Sequence, residues 1–296
     1  MDCVEKKEAG KVVELRVVRV LVTGATSQVG SFLLPRLLGG GHEVLAVSRH
    51  SMPAHDRLSW MIGDVSDAGF LCPPVEAMIH IAPLRLLPRL LSGFLASGGR
   101  RVVCFGTTSR YSKAVSLDPH EQEFARDQVA AEAQVAEMCE AAGANWTLFR
   151  PTLIYGAGMD RNVTVIARLI RRFGVFPLFG AASGRRQPVH ADDLAAACVA
   201  ALHEPRSFNR AYDLTGAETL SYRRMVERIF AAEGRRPRFF RVPLSVFRGA
   251  MWCVSRIPRF KDFNPEMARR MNEDLVFDSS PATADFGYAP RRFEPG

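Results

Sequence analysis

The residues with the clearest chemical meaning in this sequence are two glycines of one turn. Residues 23–30 (TGATSQVG) follow an apolar run and precede a helical pattern. Gly24 permits a tight turn, Gly30 lets helix and strand approach closely, and the backbone N–H groups that open the helix attract an anion. The turn therefore predicts a binding site for the diphosphate of a dinucleotide.

Ser27 stands where the middle glycine of this fingerprint usually lies. Two interpretations of Ser27 stay open: its hydroxyl hydrogen-bonds a phosphate, or its side chain narrows the pocket. The alternative for the whole turn is a strand-to-helix connection without a ligand. The order of strand, turn and helix argues against that alternative.

Arg49 follows a second apolar run, residues 43–48 (EVLAVS). An acidic residue at this point would bind the 2′-hydroxyl of NAD, but a carboxylate repels a 2′-phosphate. The guanidinium of Arg49 has the opposite charge and a planar fork that suits phosphate. We therefore expect NADP(H) to be favoured over NAD(H); a surface arginine without a ligand is the alternative.

The elements that position these residues alternate between apolar runs and helical patterns, which indicates a parallel sheet with helices on both faces. We expect strands at residues 17–23, 43–48, 77–82, 101–105, 146–154 and 211–215. We expect helices at residues 28–38, 118–142 and 221–233, and a further helix after residues 192–193.

Helix caps support two of these helices. Asp118 can cap the helix at 118–142, Pro119 suits its first position, and Glu121 completes a capping box. Asp192 or Asp193 is expected to cap the helix that follows.

The predicted fold class is α/β, a doubly wound parallel Rossmann sheet with a small C-terminal substrate lobe. We expect a flexible N-terminal tail at residues 1–16 and a dinucleotide-binding core at residues 17–155. Residues 156–296 would hold the rest of the sheet, interwoven with a substrate-binding lobe. In this architecture the ligand lies beyond the carboxyl ends of the strands.

The composition is that of a soluble globular protein, with 296 residues of which 47% are hydrophobic and 24% charged. No apolar run reaches the roughly 18 residues of a membrane span, and the polar N-terminus argues against a secretory signal. The six cysteines show no metal-ligand spacing. We therefore expect no bound metal, free thiols in a reducing compartment and a cytoplasmic location.

The net charge of +8 suggests anionic ligands. The basic residues form short pairs rather than one tract interleaved with aromatic residues, so we expect no nucleic-acid partner. An amphipathic stretch at residues 244–257 is expected to be core or lid, which is favoured over contact with a membrane surface.

Four later segments complete a resemblance to the extended short-chain dehydrogenase/reductases, the family of nucleotide-sugar epimerases and dehydratases. The segments are residues 63–67 (GDVSD), 80–83 (HIAP), 150–156 (RPTLIYG) and 188–194 (PVHADDL). The resemblance implies that Asp64 contacts the adenine, and that segment 150–156 lies beside the nicotinamide. The expected cofactor contacts are Gly24, Thr26, Ser27, Gln28, Val29, Gly30, Arg49, Asp64, Val65, Ala82, Pro83, Gln128 and Pro151.

The sequence departs from this family at its catalytic pair. The family carries a tyrosine and, four residues later, a lysine that lowers the tyrosine pKa and holds the nicotinamide ribose. Alignment on Glu132 places Phe124 at the tyrosine position and Gln128 at the lysine position. Phenylalanine cannot transfer a proton, and glutamine supplies no charge.

Residues 106–113 (GTTSRYSK) resemble the family's loop in which a hydroxyl binds the reacting oxygen, and the resemblance selects Thr107. Tyr111 and Lys113 could replace the missing pair if this loop is extended, because residues i and i+2 of an extended segment share a face. The alternative is a loop tyrosine and a solvated lysine. The expected substrate contacts are Thr108, Phe124, Tyr155, Asn162, Arg168 and His190.

Two functions remain open at this point. The first is an oxidoreductase or epimerase that moves hydride between a nicotinamide and a hydroxyl or carbonyl carbon of a small substrate, of which a nucleotide-linked sugar is one candidate. The second is an NADP(H)-binding sensor or structural partner without turnover. The sequence does not fix the oligomeric state, although the resemblance is compatible with a homodimer.

Overall fold

The computed structural model describes residues 7–8, 11–12, 17–242 and 269–295. The expected amphipathic stretch at 244–257 lies outside these residues. Within the expected tail, Lys7–Glu8 and Lys11–Val12 pair as two short antiparallel strands.

Seven parallel strands form the central sheet, in the order β3-β2-β1-β4-β5-β6-β7. The strands are β1 Arg19–Thr23, β2 Glu43–Ser48, β3 Leu58–Ile62, β4 Ala77–His80, β5 Arg101–Phe105, β6 Asn145–Pro151 and β7 Arg210–Leu214. The strand order reverses between β1 and β4, which is where a doubly wound sheet leaves its ligand crevice.

Helices cover both faces of the sheet. They are α1 Gln28–Gly39, α2 Leu87–Ala96, α3 Ser109–Ala114, α4 Pro119–Ala141, α5 Val163–Phe173, α6 Ala191–His203, α7 Tyr222–Ala232 and α8 Ser280–Phe286. In β1, Val20 and Val22 belong to the core that includes residues of α1 and α6, whereas Leu21 belongs to the core that includes residues of α2 and α4. The alternation follows from the two-residue period of a strand, and the fold is the predicted doubly wound Rossmann sheet.

A small lobe is built from the C-terminal half of the chain. Its separate core joins α5 and α7, with Ile170, Phe230 and Phe293 fully or almost fully buried. Short strand pairs connect the segments of this lobe and join it to the sheet. The pairs are Phe176–Phe179 with Phe239–Val242, Arg185–Arg186 with Leu220–Ser221, and Val189–His190 with Ile154–Tyr155.

Two expected caps differ from the structure. The Asp118 carboxylate does cap α4 by accepting a hydrogen bond from the His120 N–H at 2.9 Å. Glu121, however, pairs with Arg270, so the capping box is not formed. The expectation that Asp192 or Asp193 caps α6 was also wrong, because the helix begins at Ala191 and the His190 ring caps it.

Strand bounds differ from the predictions in two places. The segment expected as one strand at 146–154 is two, Asn145–Pro151 and Ile154–Tyr155, which pair with different neighbours. The edge strand β3 was not predicted. Its burial alternates only partly, because an edge strand packs less of its surface than a central one.

Among the described cysteines, Cys104, Cys139 and Cys198 are buried free thiols, as expected. Burial raises the pKa of all three thiols, so they are inert under ordinary conditions. Within the described residues, no cluster of histidine, cysteine and acidic side chains could hold a metal ion. Nor does that part of the chain contain a helix with the length and hydropathy needed to cross a membrane.

Candidate functional site

The glycine turn has the geometry that its sequence predicts. Gly24 has a φ of +70°, and a Cβ there would lie 2.8 Å from the Ala82 nitrogen, which follows β4. A Cβ on Gly30 would lie 2.2 Å from the Ala25 carbonyl oxygen. A side chain on Gly24 would collide with the segment after β4, and one on Gly30 with the backbone of the turn itself, so both glycines are required by packing.

Ser27 caps α1, and its Oγ accepts a hydrogen bond from the Gly30 N–H at 3.2 Å. The hydroxyl proton of Ser27 is therefore left to donate elsewhere. The N–H groups of Gln28 and Val29, in the first turn, have no partner within the helix, and both residues line a cavity. Thr26 is exposed at the tip of the turn.

The Gln28 side chain carries an unpaired donor. Its Nε2 atom is buried and has no hydrogen-bond partner among the described residues. A buried amide without a partner costs free energy, and a ligand oxygen in the adjoining cavity would remove that cost.

The expected adenosine side of the site lies at the ends of β2 and β3. Hydrogen bonds from the Ser66 hydroxyl and N–H, at 2.7 and 2.8 Å, are the main reason why the pKa of Asp64 is lowered. The charge of the exposed Arg49 lowers it further by a smaller effect. The Val65 carbonyl accepts a hydrogen bond from Arg89 at 3.0 Å, which ties this loop to α2.

A cavity of about 690 Å³ joins the N-terminus of α1 to the C-terminal lobe. Ile81, Thr107 and Thr152, which follow β4, β5 and β6, lie along one side. Residues of the lobe, among them Tyr222 and Phe277, lie along the other. The cavity therefore occupies the crevice expected at the carboxyl ends of the strands.

Among the described residues, four cationic side chains line this cavity together with one carboxylate, that of Asp160. The cations are Lys113, Arg161, Arg186 and Arg270. The Asp160 carboxylate accepts hydrogen bonds from the N–H groups of Asn162 and Thr164 at 2.9 and 3.0 Å. The excess of positive charge favours an anionic ligand.

Arg186 is the buried cation of this group, with 5% of its surface exposed. Its guanidinium donates to the carbonyl oxygens of Arg185 and Glu273, each at 2.7 Å, and to that of Arg270. These partners carry no formal charge, and burial lowers the pKa of Arg186. Arg270 differs, because its Nη1 lies 2.8 Å from both carboxylate oxygens of Glu121. Arg186 was not predicted as a site residue, because two of its three carbonyl partners, those of Arg270 and Glu273, lie far along the chain.

The two threonines after β5 have different hydrogen bonds. The Thr108 hydroxyl donates to the Pro151 carbonyl at 3.0 Å, which fixes it to the end of β6. The Thr107 Oγ1 accepts from the Ser109 N–H at 3.1 Å and keeps its proton for another acceptor. Both line the cavity, and Thr107 is the better placed to hydrogen-bond a ligand oxygen.

Tyr111 and Lys113 do not form the substitute pair that an extended loop would give, because Ser109–Ala114 is the helix α3. Side chains two apart on a helix point roughly 200° apart. The Tyr111 hydroxyl donates to Asp213 Oδ1 and accepts from Arg150 Nη1, both at 3.3 Å, and Tyr111 is not part of the cavity lining. Lys113 does line the cavity.

A network of buried charges behind the cavity was missed by the sequence analysis. The Glu132 carboxylate, 7% exposed, binds the guanidinium of Arg150 and also that of Arg110. Arg150 in turn lies 3.7 Å from Asp213, and burial raises the pKa of Asp213. In the sequence, Glu132 served only to align α4. A charged residue on a helix that packs against a buried sheet was the feature that could have indicated this network.

The remaining predicted contacts fall into two groups. Asn162 lines the cavity, whereas Phe124, Gln128, Tyr155, Arg168 and His190 are outside its lining. Gln128 is buried within α4, and Arg168 is exposed on α5. The His190 Nδ1 accepts from the Asp192 N–H at 3.1 Å, and its ring packs on Tyr155, so this histidine has a structural role.

Comparison with known proteins identifies relatives of this chain. Residues 20–82 and 78–214 match the model of the NAD dependent epimerase/dehydratase family. UDP-glucose 4-epimerase from Vibrio cholerae is 20% identical over an alignment of 304 residues, which covers 92% of this chain and 90% of that protein. Divinyl chlorophyllide a 8-vinyl-reductase from Oryza sativa subsp. indica is 24% identical and covers 81% of this chain. The alignments span between 39% and 65% of the length of the first curated relatives.

Solved structures have the same fold. The UDP-glucuronic acid 4-epimerase from Bacillus cereus, in complex with UDP-glucuronic acid and NAD, gives a TM-score of 0.69 at 15% identity, covering 92% of this chain and 94% of that chain. At this identity the likeness shows the fold alone.

Proposed function

Because this chain belongs to the NAD dependent epimerase/dehydratase family, we propose that it binds NADP(H) at α1 and transfers hydride to or from an anionic, nucleotide-linked substrate. The observation that carries the proposal is the cavity, which joins the N-terminus of α1 to a group of cationic side chains on the lobe.

The residues present fit a dinucleotide. Gly24 and Gly30 allow the tight turn between β1 and α1, and the N-terminus of α1, which lines the cavity, provides N–H groups for a diphosphate. The buried, unpaired Nε2 of Gln28 offers a further donor. Arg49 at the end of β2 supports NADP(H) over NAD(H) on grounds of charge.

The lobe side of the cavity fits a phosphate-bearing substrate. Arg186 is held in place by backbone carbonyls and needs no reorganisation to bind an anion. Tyr222 and Phe277 add aromatic surface on which a planar base could stack. A nucleoside diphosphate attached to a sugar combines both features.

When bound, a nicotinamide would supply or accept the hydride. Thr107 would hold the substrate oxygen through its free hydroxyl proton. Phe124 cannot exchange a proton, and the loss of a positioned acid–base group lowers rates by about 10²–10⁴-fold. We therefore expect turnover that is slow compared with that of relatives carrying the tyrosine and lysine.

The test is calorimetric titration of the nucleotide-free protein with NADPH, NADH, UDP-glucose and UDP-glucuronic acid. Binding of a nicotinamide cofactor and of one nucleotide sugar supports the proposal. Absence of any nicotinamide binding would show that the α1 site has lost its ligand.

A second function, cofactor binding without turnover, is favoured by Phe124 and Gln128 alone. It predicts the same binding but no change in nicotinamide absorbance when the protein is mixed with cofactor and nucleotide sugars over hours. A measurable rate, abolished by Thr107→Val, would exclude it.

A further inference from the structure

The strand order assigns the two halves of a bound dinucleotide to different sides of β1. A dinucleotide bound in this architecture would have its diphosphate at the β1–α1 turn, its adenosine toward the end of β2 and its other half toward β4, β5 and β6. On that second side the cavity is lined by Ile81, Thr107 and Thr152. The nicotinamide half would therefore lie beside the segment that follows β5.

Lys113 is the cation of that segment. It belongs to α3, lines the cavity and is partly buried. Its Nζ atom lies 4.1 Å from the centroid of the Phe124 ring. Within the described part of the chain, no carboxylate lies within ion-pair distance of Lys113; Glu121, which Arg270 binds, is near enough to interact with its charge.

The other cations of the cavity differ from Lys113 in their position in the cavity or in their ion pairs. Arg186 and Arg270 belong to the lobe side, and Arg270 is neutralised by Glu121. Arg161 follows the short strand Ile154–Tyr155, also on the lobe side. Lys113 is thus the cationic side chain that the segment after β5 brings to the cavity.

The neighbouring helix α4 does not provide an ammonium there. Its residues Phe124 and Gln128 carry no charge and do not line the cavity. Arg126 of the same helix is exposed and lines a separate small pocket.

We propose that Lys113 binds the nicotinamide half of the dinucleotide, with its ammonium donating hydrogen bonds to the hydroxyl oxygens of the nicotinamide ribose. The inference rests on the proposed function and assigns a residue of α3 to a part of that site. The Phe124 ring contacts the ammonium through its negative face, and the N–H bonds that do not point at this ring are available to the ligand.

The test compares a whole cofactor with its adenosine fragment. Lys113→Met and wild-type protein are titrated calorimetrically with NADPH and with 2′,5′-ADP, which lacks the nicotinamide half; NADH and ADP form the corresponding pair without the 2′-phosphate. Since a hydrogen bond to a charged group is worth about tenfold or more in affinity, Lys113→Met should weaken NADPH by at least that factor. The affinity for 2′,5′-ADP should change by less than about twofold.

Two further variants serve as controls for the effect of Lys113→Met. Lys113→Arg keeps the charge and donors and should recover part of the NADPH affinity. Arg126→Met removes the same charge from the exposed surface of α4 and should change neither affinity. Thermal unfolding of each variant verifies that it is folded.

Three results would contradict either the role of Lys113 or the proposed function. Equal weakening of NADPH and 2′,5′-ADP would mean that Lys113 acts only through long-range charge, and the proposal would be wrong. Unchanged NADPH affinity in Lys113→Met would also overturn it. Failure of the wild-type protein to bind any of these nucleotides would instead overturn the proposed function, and the assignment of Lys113 with it.

Discussion

The Arg150 guanidinium donates two hydrogen bonds to Oε2 of the Glu132 carboxylate, from Nη2 at 2.6 Å and from Nε at 3.0 Å. Arg110 binds the same oxygen from α3. One carboxylate thus holds together α4, the end of β6 and the helix that carries Lys113.

Glu132→Gln should destabilise the protein by about 3 kcal/mol, because it leaves two poorly solvated guanidinium groups without their counter-charge. Urea unfolding at pH 7 measures the change. Glu227→Gln is the matched control: it removes a carboxylate from an ion pair with the more exposed Arg223 and Arg224, and should cost less than about 1 kcal/mol. Equal losses in the two variants would contradict a special role for Glu132.

His80 should make the protein acid-sensitive. It is fully buried, its Nε2 donates to the Pro83 carbonyl at 3.3 Å, and its Nδ1 accepts from the Thr23 hydroxyl at 2.7 Å. Burial lowers the pKa of His80 from 6.5 to about 4. Since the unfolded state takes up the proton first, stability is complete above about pH 6.5 and falls by about 1.4 kcal/mol per pH unit down to about pH 4.

Urea unfolding between pH 7 and pH 4.5 tests this expectation. His80→Gln cannot be protonated and should show a shallower dependence on pH, whatever its stability at pH 7. His42, whose pKa burial also lowers, contributes to the dependence that remains. Parallel curves for the variant and the wild-type protein would exclude His80 as a source of acid sensitivity.

Gln28→Leu should affect stability and binding in opposite directions. Removal of the unpaired Nε2 should stabilise the ligand-free protein by about 1 kcal/mol, whereas NADPH should bind several-fold more weakly. Trp146→Phe removes another buried, unpaired N–H outside the cavity and should leave NADPH affinity unchanged. Calorimetry and thermal unfolding of the ligand-free proteins give both quantities; unaltered NADPH affinity in Gln28→Leu would show that the amide does not face the cofactor.

Arg49→Ala should weaken NADPH much more than NADH, because a phosphate loses its cationic partner and a hydroxyl loses little. Parallel titrations with the two cofactors measure the ratio. Equal losses would show that Arg49 does not recognise the 2′-phosphate.

The sheet could be predicted from the sequence because its central strands are continuous apolar runs that end in glycine turns or short polar segments. β3 could not, since its residues LSWMI lie at an edge and are only partly buried. Residues 106–113 were predicted to be a loop, extended if Tyr111 and Lys113 form a pair, whereas Ser109–Ala114 is a helix against which α4 packs.

The dinucleotide turn was predicted because its residues are contiguous. The cationic side of the cavity was not predicted, because it depends on contacts between residues that are far apart in the sequence. Arg186, for example, binds carbonyl oxygens 84 and 87 residues away. Tyr111 was placed at the site from local spacing, and its distant partner Asp213 instead holds it outside the cavity lining.

The segment that supplies Arg270, Met271 and Phe277 to the cavity follows every strand of the sheet in the sequence. All strands of the Rossmann sheet are therefore synthesised well before the last residues that line the binding site. Nascent chains that stop short of residue 269 would contain the nucleotide turn but would lack two of the three backbone partners of Arg186. Ligand binding should consequently be acquired late in biosynthesis, at a step separate from formation of the sheet.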